Sequence, residues 1–260
     1  MILKEDLIRL AKLNRLKAFQ QEKHYIQTLV LRSIYAATND LAFKGGTSLW
    51  FFYGLNRFSE DLDFTMTVRE RNGKGLRNLP MAVKNDLEVY GIDSEIRILN
   101  DDKISFSFRV GAEGPLFTKE IERSFVRIEI SKREEVKKKP DVVELDANYT
   151  DILPFFVLVM NNEEIIAEKF RAILTRNRAR DIYDLWFLLK KGTRFDLSLV
   201  KEKLRYYDKV FEKDVFIERI KGKEDYWQSE LKPLVIGKLP RFEEVYKAIR
   251  KVILQDWGIK

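Results

Sequence analysis

The sequence predicts an α+β fold, in which a mixed sheet follows an N-terminal pair of helices and precedes a C-terminal helical domain. Apolar residues recur with helical spacing at both ends of the chain. In the middle, apolar and polar residues alternate with the two-residue period of half-buried strands. We therefore expect two domains, 1–160 with the helical pair and the sheet core, and 161–260 with the remaining helices.

The same patterns place each element in order. The N-terminal helices are expected over 5–19 and 22–38. Short alternating or apolar runs between turn residues predict strands at 41–44, 61–66, 94–99, 104–110, 125–131, 142–147 and 155–160. The polar stretches 70–79 and 137–140 are expected to be loops. Beyond residue 162 the chain is predicted to be helical, most clearly over 163–176, around 182–189 and from 242 onward.

The composition excludes several kinds of catalytic site. At 260 residues, 45% hydrophobic and 34% charged, the chain has enough apolar material for a core. It contains no cysteine and a single histidine, His24, which we expect on the surface of a helix. Disulfides, thiolate metal sites and a cysteine nucleophile are therefore excluded, and a Ser-His-Asp triad is disfavoured. Catalysis by this chain would rest on carboxylates, amines and hydroxyls.

The charge balance favours a polyanionic partner without requiring one. There are 48 basic and 41 acidic residues, a net charge of +7, and most of the excess falls in 151–260. This excess suits nucleic acid or polyphosphate, but it also suits a well-solvated surface. The longest apolar run, Leu153 to Met160, is far shorter than the roughly 20 residues that span a bilayer. The charged N-terminus lacks a signal peptide's apolar stretch, so we expect a cytoplasmic protein without membrane contact.

A pair of glycines marks the first candidate site. Gly45 and Gly46 follow an apolar strand, and Thr47 and Ser48 come next, where they could cap a short helix. A helix N-terminus that begins with glycine presents backbone N–H groups to a phosphate without interference from Cβ atoms. An ordinary turn before a helix has the same sequence, so both interpretations stay open.

Three carboxylates form the second candidate site. Asp61 and Asp63 lie two residues apart on a predicted strand, so their side chains leave the same face. Carboxylates held side by side repel each other unless a divalent cation such as Mg²⁺ neutralises them. Glu129 would join this pair, and allow two metal ions, if its strand lies beside theirs. The alternative is an exposed glutamate paired with Arg127 or Lys132.

A basic helix face provides the third candidate. Lys169 and Arg176 are seven residues apart on the helix over 163–176, with Arg180 a turn further. Such a row could hold the β- and γ-phosphates of a nucleotide, or it could be a solvated stripe. Asp181 is expected to cap the next helix, and Asp184 to pair with Arg180 at i,i+4.

The order of these motifs resembles a known family. The segments FKGGTSL (43–49), RFSEDLDF (57–64) and EEIIAEKFRAILTRNRARDIYDLWFLL (163–189) are similar to the successive motifs of the AbiEii/AbiGii-type nucleotidyltransferase toxins. Those toxins belong to the polymerase-beta-like nucleotidyltransferase superfamily. The resemblance implies that 1–160 contains a nucleotidyltransferase core, and that a separately encoded antitoxin accompanies the protein.

The resemblance also implies roles for particular residues. It assigns nucleotide phosphates to Gly45, Gly46, Thr47 and Lys169, and Mg²⁺ to Asp61 and Asp63. It places Ser59 among the nucleotide-binding residues, in a loop that Ser59 and Arg57 shape before the metal strand. Glu129 matches the third carboxylate of the superfamily by position only, because many relatives have Asp there.

The expected reaction is the transfer of a nucleoside monophosphate from an NTP to an acceptor hydroxyl, with two Mg²⁺ ions held by Asp61, Asp63 and Glu129. RNA is the expected acceptor, tRNA first, because aromatic residues lie among lysines in the basic C-terminal half, where they could also be core. A small-molecule nucleotidyltransferase of the antibiotic-modifying kind remains an alternative. So does a non-enzymatic nucleic-acid-binding module, which would not need Asp61 or Asp63.

Overall fold

The computed structural model describes residues 1–67 and 74–255. The helices in this part of the chain are α1 (Lys4–Leu13), α2 (Ala18–Ala37), α3 (Gly45–Tyr53), α4 (Lys74–Val89), α5 (Asn162–Thr175), α6 (Ala179–Lys190), α7 (Leu197–Arg205), α8 (Lys213–Lys221), α9 (Glu224–Leu231) and α10 (Phe242–Gln255). The strands are β1 (Leu41–Lys44), β2 (Leu62–Met66), β3 (Ser94–Asp101), β4 (Ser105–Ala112), β5 (Ser124–Ser131), β6 (Asp141–Leu145) and β7 (Phe155–Val159). Each predicted strand is therefore confirmed, with shifts of one or two residues at most ends.

The chain divides into two compact units. The first contains Met1–Ser48, Glu60–Val136 and Pro140–Val159, and the second contains Leu49–Ser59, Lys137–Lys139 and Met160–Lys260. The second unit thus includes two short segments that precede the predicted boundary at residue 160. Division into independently folding domains at that boundary stays a prediction.

The first unit is built on one mixed sheet with the strand order β3-β4-β5-β2-β1-β7-β6. The pairs β2–β5 and β1–β7 are parallel, and the other neighbours are antiparallel. One face is apolar and buried, and α2 packs against it at β5. Strand β5 alternates strictly between buried and exposed residues, so Val126, Ile128 and Ile130 enter the core while Arg127 and Glu129 lie on the opposite face.

The second unit is mainly helical, and its segment Leu49–Ser59 includes the C-terminal part of α3. Helix α5 packs against α6, α7 and α8. Aromatic side chains fill this core, including Phe170 stacked on Phe216 with ring centroids 4.6 Å apart. Trp227 is also core, since it is 1% exposed and its indole N–H donates to the Pro240 carbonyl, whereas Tyr226 is half-exposed.

Three local predictions are wrong. The segment 74–79 is the start of α4, not a loop, because Leu76, Leu79, Val83 and Leu87 form a buried helical face that continues through it. The rest of that predicted loop, 70–73, lies outside the described residues.

The first predicted helix ends at Leu13, not residue 19, and Arg15 after it has φ of 56°, which breaks the helical path. His24 is partly buried rather than on the surface, and its Nδ1 lies 2.7 Å from the Tyr149 hydroxyl. Burial lowers the pKa of His24 to about 4, so the ring is neutral near pH 7.

No helix in the described part of the chain is both long enough and apolar enough to cross a membrane.

Candidate active site

The Gly45-Gly46 turn lies against the carboxylate of Asp63. Gly45 has φ of +78°, in the left-handed region that favours glycine. A Cβ atom at this position would lie 3.1 Å from both Cβ and Cγ of Asp63, and closer still to Oδ2. Glycine is therefore required twice here, once by the backbone angle and once by the approach of the carboxylate. The turn and the carboxylate form one compact feature at the end of β1.

Helix α3 begins at Gly45, so Thr47 and Ser48 lie within its first turn and are not its caps. The expectation that they cap the helix is wrong because the helix begins two residues before Thr47. Thr47 is fully buried, and its hydroxyl donates to the backbone carbonyl of Asp61. That bond ties the entry of β2 to the first turn of α3. The first N–H groups of an α-helix have no intrahelical partner, so this turn presents backbone donors to an anion.

The carboxylates come from neighbouring positions in the sheet. Strand β2 lies between β1 and β5, and Asp63 is the register partner of Glu129 in the parallel pair. Partners in register point to the same face, so the condition for including Glu129 is met. Asp61 stands one residue before β2, two residues from Asp63, and like Asp63 it is half-buried.

Basic side chains accompany these carboxylates. Arg127 forms an ion pair of 3.0 Å with Glu129, and both side chains are 48% exposed. Such an exposed pair contributes little stability. Lys44 is the antiparallel register partner of Asp63 and is 8% exposed. Sequence reasoning missed Lys44, although its position immediately before Gly45 on a buried strand could have indicated it.

The residues fit Mg²⁺ in their chemistry. Asp63 and Glu129 supply hard oxygen donors on one face of the sheet, and Asp61 lies two residues before Asp63. The excess of negative charge over Lys44 and Arg127 favours a divalent cation. Among residues 1–67 and 74–255, no group of three or more acidic or histidine side chains is arranged to hold a metal ion as it stands. To act as a ligand, Glu129 would therefore exchange its ion pair with Arg127 for the metal.

The second unit contains a charge cluster made of Arg57, Lys169, Arg176, Asp181 and Asp184, all of them buried except Arg176, which is half-exposed. Arg57 donates two hydrogen bonds of 2.6 Å to the two oxygens of Asp184. The Lys169 ammonium lies 2.6 Å from Asp184 and 3.2 Å from Asp181. Arg176 forms two hydrogen bonds of 2.7 Å with Asp181. Every carboxylate oxygen in this cluster thus has a cationic partner.

These contacts determine the protonation states. Burial alone would raise the pKa of Asp184, but Arg57 and Lys169 hold it below its usual range. Asp181 behaves in the same way, with Lys169 and Arg176 outweighing the effect of burial on its pKa. Both carboxylates are therefore ionised and paired at neutral pH.

Two predictions about this helix are wrong. The N-cap residue of α6 is Arg178, so Asp181 lies inside the first turn and pairs with Lys169 and Arg176. Asp184 pairs with Arg57 and Lys169 and not with Arg180, because a buried carboxylate needs buried cationic partners and Arg57 is 2% exposed.

Comparison with known proteins decides the family. The sequence profile of the nucleotidyl transferase AbiEii toxins of type IV toxin–antitoxin systems matches residues 29–248. The chain belongs to this family. It is thus a nucleotidyltransferase toxin of a toxin–antitoxin system, and its substrate is an NTP. A search of curated protein sequences finds no significant match.

Solved structures agree with this fold. JHP933 from Helicobacter pylori is 22% identical, with a TM-score of 0.60 over 92% of this chain and 93% of that one. MenT4, a nucleotidyltransferase toxin from Mycobacterium tuberculosis, is 18% identical, with a TM-score of 0.61 over 98% of this chain and 90% of that one. These similarities confirm the expected nucleotidyltransferase sheet with N-terminal helices and a C-terminal helical region.

The AbiEii motifs are divided between the two units. Gly45, Gly46, Thr47, Asp61, Asp63 and Glu129 come together in the first unit. Ser59 and Lys169 belong to the second. Ser59 is half-buried in a segment that is anchored within that unit, since the neighbouring Phe58 N–H donates to the Leu234 carbonyl. Lys169 is 5% exposed.

Proposed function

We propose that this AbiEii toxin transfers a nucleoside monophosphate from an NTP to a hydroxyl of RNA, with pyrophosphate leaving and with Mg²⁺ required. The observation that supports this most is the position of Asp63, between the glycine turn at Gly45 and the carboxylate of Glu129. A phosphate on the turn and a metal on the carboxylates would then be adjacent. Phosphoryl transfer needs mainly positioning and charge stabilisation, which suits a site without histidine or cysteine.

Each residue has a distinct role in this proposal. Gly45, Gly46 and Thr47 bind nucleotide phosphates through backbone N–H groups, because the Thr47 side chain is buried and bonded to Asp61. Asp61, Asp63 and Glu129 hold two Mg²⁺ ions. When bound, these ions neutralise the triphosphate and lower the pKa of the acceptor hydroxyl. Glu129, as the most exposed of the carboxylates, accepts the acceptor proton.

Lys169 and Ser59, which belong to the second unit, are also proposed to contact the nucleotide. The Lys169 ammonium is held by Asp181 and Asp184, which use two of its three N–H donors. These two carboxylates hold the ammonium in place, and in this proposal its third N–H donates to a phosphate oxygen. Ser59 contributes its hydroxyl from the loop that Arg57 fixes through Asp184.

RNA is the proposed acceptor, with tRNA first, because the C-terminal half contains most of the positive excess. A separately encoded antitoxin is the proposed protein partner, as the family's membership of toxin–antitoxin systems suggests.

The test incubates the protein with each α-labelled NTP in turn and total cellular RNA, with Mg²⁺ or with EDTA. We expect label in RNA from at least one NTP, only with Mg²⁺, and none with Asp63→Asn. A parallel reaction contains small hydroxylated acceptors such as aminoglycosides. Label in those compounds and not in RNA would contradict the RNA acceptor, and equal incorporation by Asp63→Asn would contradict the site.

A further inference from the structure

Three arginines lie side by side across adjacent strands of the first unit. Arg97 on β3 is the register partner of Arg109 on β4, and Arg109 is the register partner of Arg127 on β5. Antiparallel register partners point to the same face, so the three side chains form a continuous row. Neighbouring strands are about 4.8 Å apart, so the row spans roughly 10 Å of the sheet. We call Arg97, Arg109 and Arg127 the arginine row.

This row costs stability rather than adding to it. Like charges directly opposite each other on neighbouring strands repel. In the described part of the chain, neither Arg97 nor Arg109 has a carboxylate partner, and Arg109 instead lies over the Phe125 ring at 4.6 Å. Arg97 is exposed, and Arg127 forms an exposed ion pair with Glu129. An external anion bound to the row would relieve this repulsion.

The arginine row shares its face with the candidate site. Arg127 and Glu129 alternate with buried residues on β5, so they point to the same side. Leu62 is the register partner of Ile128, and Asp61 and Arg127 are the residues immediately before this pair. Ser107, opposite Glu129, is 1% exposed, and its hydroxyl has no hydrogen-bond partner in the described part of the chain.

The row and the glycine turn lie on opposite sides of the carboxylates. In the strand order, Gly45 follows β1 on one side of β2, whereas β5, β4 and β3 lie on the other. NTP phosphates bound at the glycine turn are therefore separated from the row by Asp63 and Glu129. The row therefore lies on the side of the carboxylates opposite the glycine turn.

We propose that Arg97, Arg109 and Arg127 bind successive phosphates of the polynucleotide acceptor and direct its reacting hydroxyl to the carboxylates. This inference rests on the proposed nucleotidyl transfer to RNA and adds the surface that recognises it. Guanidinium groups suit phosphate because they donate paired hydrogen bonds. Contacts of this kind give affinity and register without sequence specificity, so the row selects a polyanionic strand over a small acceptor.

The test measures binding of fluorescein-labelled unfractionated tRNA to wild type and to Arg97→Gln/Arg109→Gln across a series of KCl concentrations. With two phosphate contacts removed, we expect tRNA affinity to fall about tenfold or more, and the slope of log K against log salt to decrease by about 1.5 to 2. NTP affinity, measured by titration calorimetry, should not change. Neither arginine is in the proposed metal or nucleotide site, so the NTP measurement reports on that site independently.

Two controls separate the row from general charge and from folding. Arg9→Gln/Lys12→Gln removes the same charge from α1, which packs on α2 away from the row, and should leave tRNA affinity unchanged. Arg97→Lys/Arg109→Lys keeps the charge and should retain most of the affinity. Thermal melts should show that all three variants fold.

The outcomes are distinct. Loss of tRNA affinity by the glutamine variant alone supports the proposal. Equal loss in the α1 variant, or loss of NTP affinity in place of tRNA affinity, overturns it. If wild type labels RNA and depends on Asp63, yet the glutamine variant binds tRNA normally, the proposed function stands and the arginine row is refuted. If wild type labels no RNA at all, both proposals fail together.

Discussion

The two units hold carboxylates in opposite ways. On the sheet of the first unit, Asp61 and Asp63 are half-buried and the Glu129 side chain is 48% exposed, with its ion pair to Arg127 equally exposed. In the second unit, Asp181 and Asp184 are fully buried, and each has two cationic partners. One group carries an excess of negative charge on an open face, and the other is balanced inside a core.

This difference suggests that the carboxylates of the first unit serve the reaction and those of the second unit serve the stability of the fold. A buried carboxylate costs several kcal/mol unless cations and hydrogen bonds compensate for it, so the paired cluster can be broken only at a large cost in folding. An open, under-compensated group instead gains most from a ligand that arrives from outside. We therefore expect substitutions in the first group to reduce activity and those in the second to reduce stability.

The largest expected effect tests this contrast directly. Asp63→Asn should lower the rate of nucleotidyl transfer by several orders of magnitude, because it deletes a metal ligand, and should change the free energy of unfolding by less than about 0.5 kcal/mol. Asp184→Asn should instead destabilise the fold by about 3 to 5 kcal/mol, because Arg57 and Lys169 lose a buried counter-charge. Urea unfolding and labelled-NTP incorporation measure both. The reverse ranking of the two variants in stability would refute the contrast.

The next effect concerns Glu129. Glu129→Gln keeps the shape of the side chain but removes the charge that would balance the metals and accept the proton, so the rate should fall at least roughly 10²-fold with little change in NTP affinity. Glu144→Gln is a matched control, since Glu144 is an exposed glutamate on β6, at the far end of the sheet. Equal rates for Glu129→Gln and Glu144→Gln would mean that Glu129 has no catalytic role and only forms a surface ion pair with Arg127.

Lys169 tests whether the buried cluster also serves the nucleotide. Lys203 provides the comparison, because it is fully buried in the same unit and lies 2.6 Å from Glu164. Lys169→Met and Lys203→Met should both destabilise the protein by several kcal/mol, but only Lys169→Met should weaken NTP binding, by about tenfold or more, as a lost charged hydrogen bond requires. Calorimetry below the unfolding temperature separates the two. Equal NTP affinities would make Lys169 purely structural.

The smallest effect involves His24, a partly buried side chain of the first unit that is neutral near pH 7. Its folded pKa of about 4 lies below the unfolded value of 6.5, so the unfolded chain binds a proton first as the pH falls. The contribution of His24 is therefore complete above about pH 6.5 and lost toward pH 4, a change of roughly 3 kcal/mol. Unfolding curves of wild type and His24→Gln over this range should converge as the pH falls. Parallel curves would contradict the assignment.

The sequence predicts what depends on local pattern. Strand β1 and the Gly45 turn follow from the apolar run and the glycine placement, and the structure reproduces both. The pairing of β2 with β5 is different, because the sequence of a strand does not determine which strand it pairs with. For this reason the sequence could predict Glu129 beside Asp63 only if their two strands were neighbours.

The errors have the same origin. The i,i+4 rule assigned Asp184 to Arg180, which is near in sequence, whereas the buried partner is Arg57, 127 residues away. The arginine row could not be predicted from the sequence either, since strand register is what brings Arg97, Arg109 and Arg127 together. Local rules describe each element, and the partners of charged side chains depend on how the elements assemble.

The parallel pairing of β2 with β5 also governs when the carboxylate face comes into existence during synthesis. Asp61 and Asp63 leave the ribosome well before Glu129, at the roughly 5 to 20 residues per second of translation. Because β2 and β5 are distant in sequence, their pairing waits for a long loop to close. A nascent or truncated chain that ends before Ser124 has the glycine turn and both aspartates but no third carboxylate. A cell that makes this toxin is thus exposed to a complete carboxylate face only after β5 has emerged and joined the sheet.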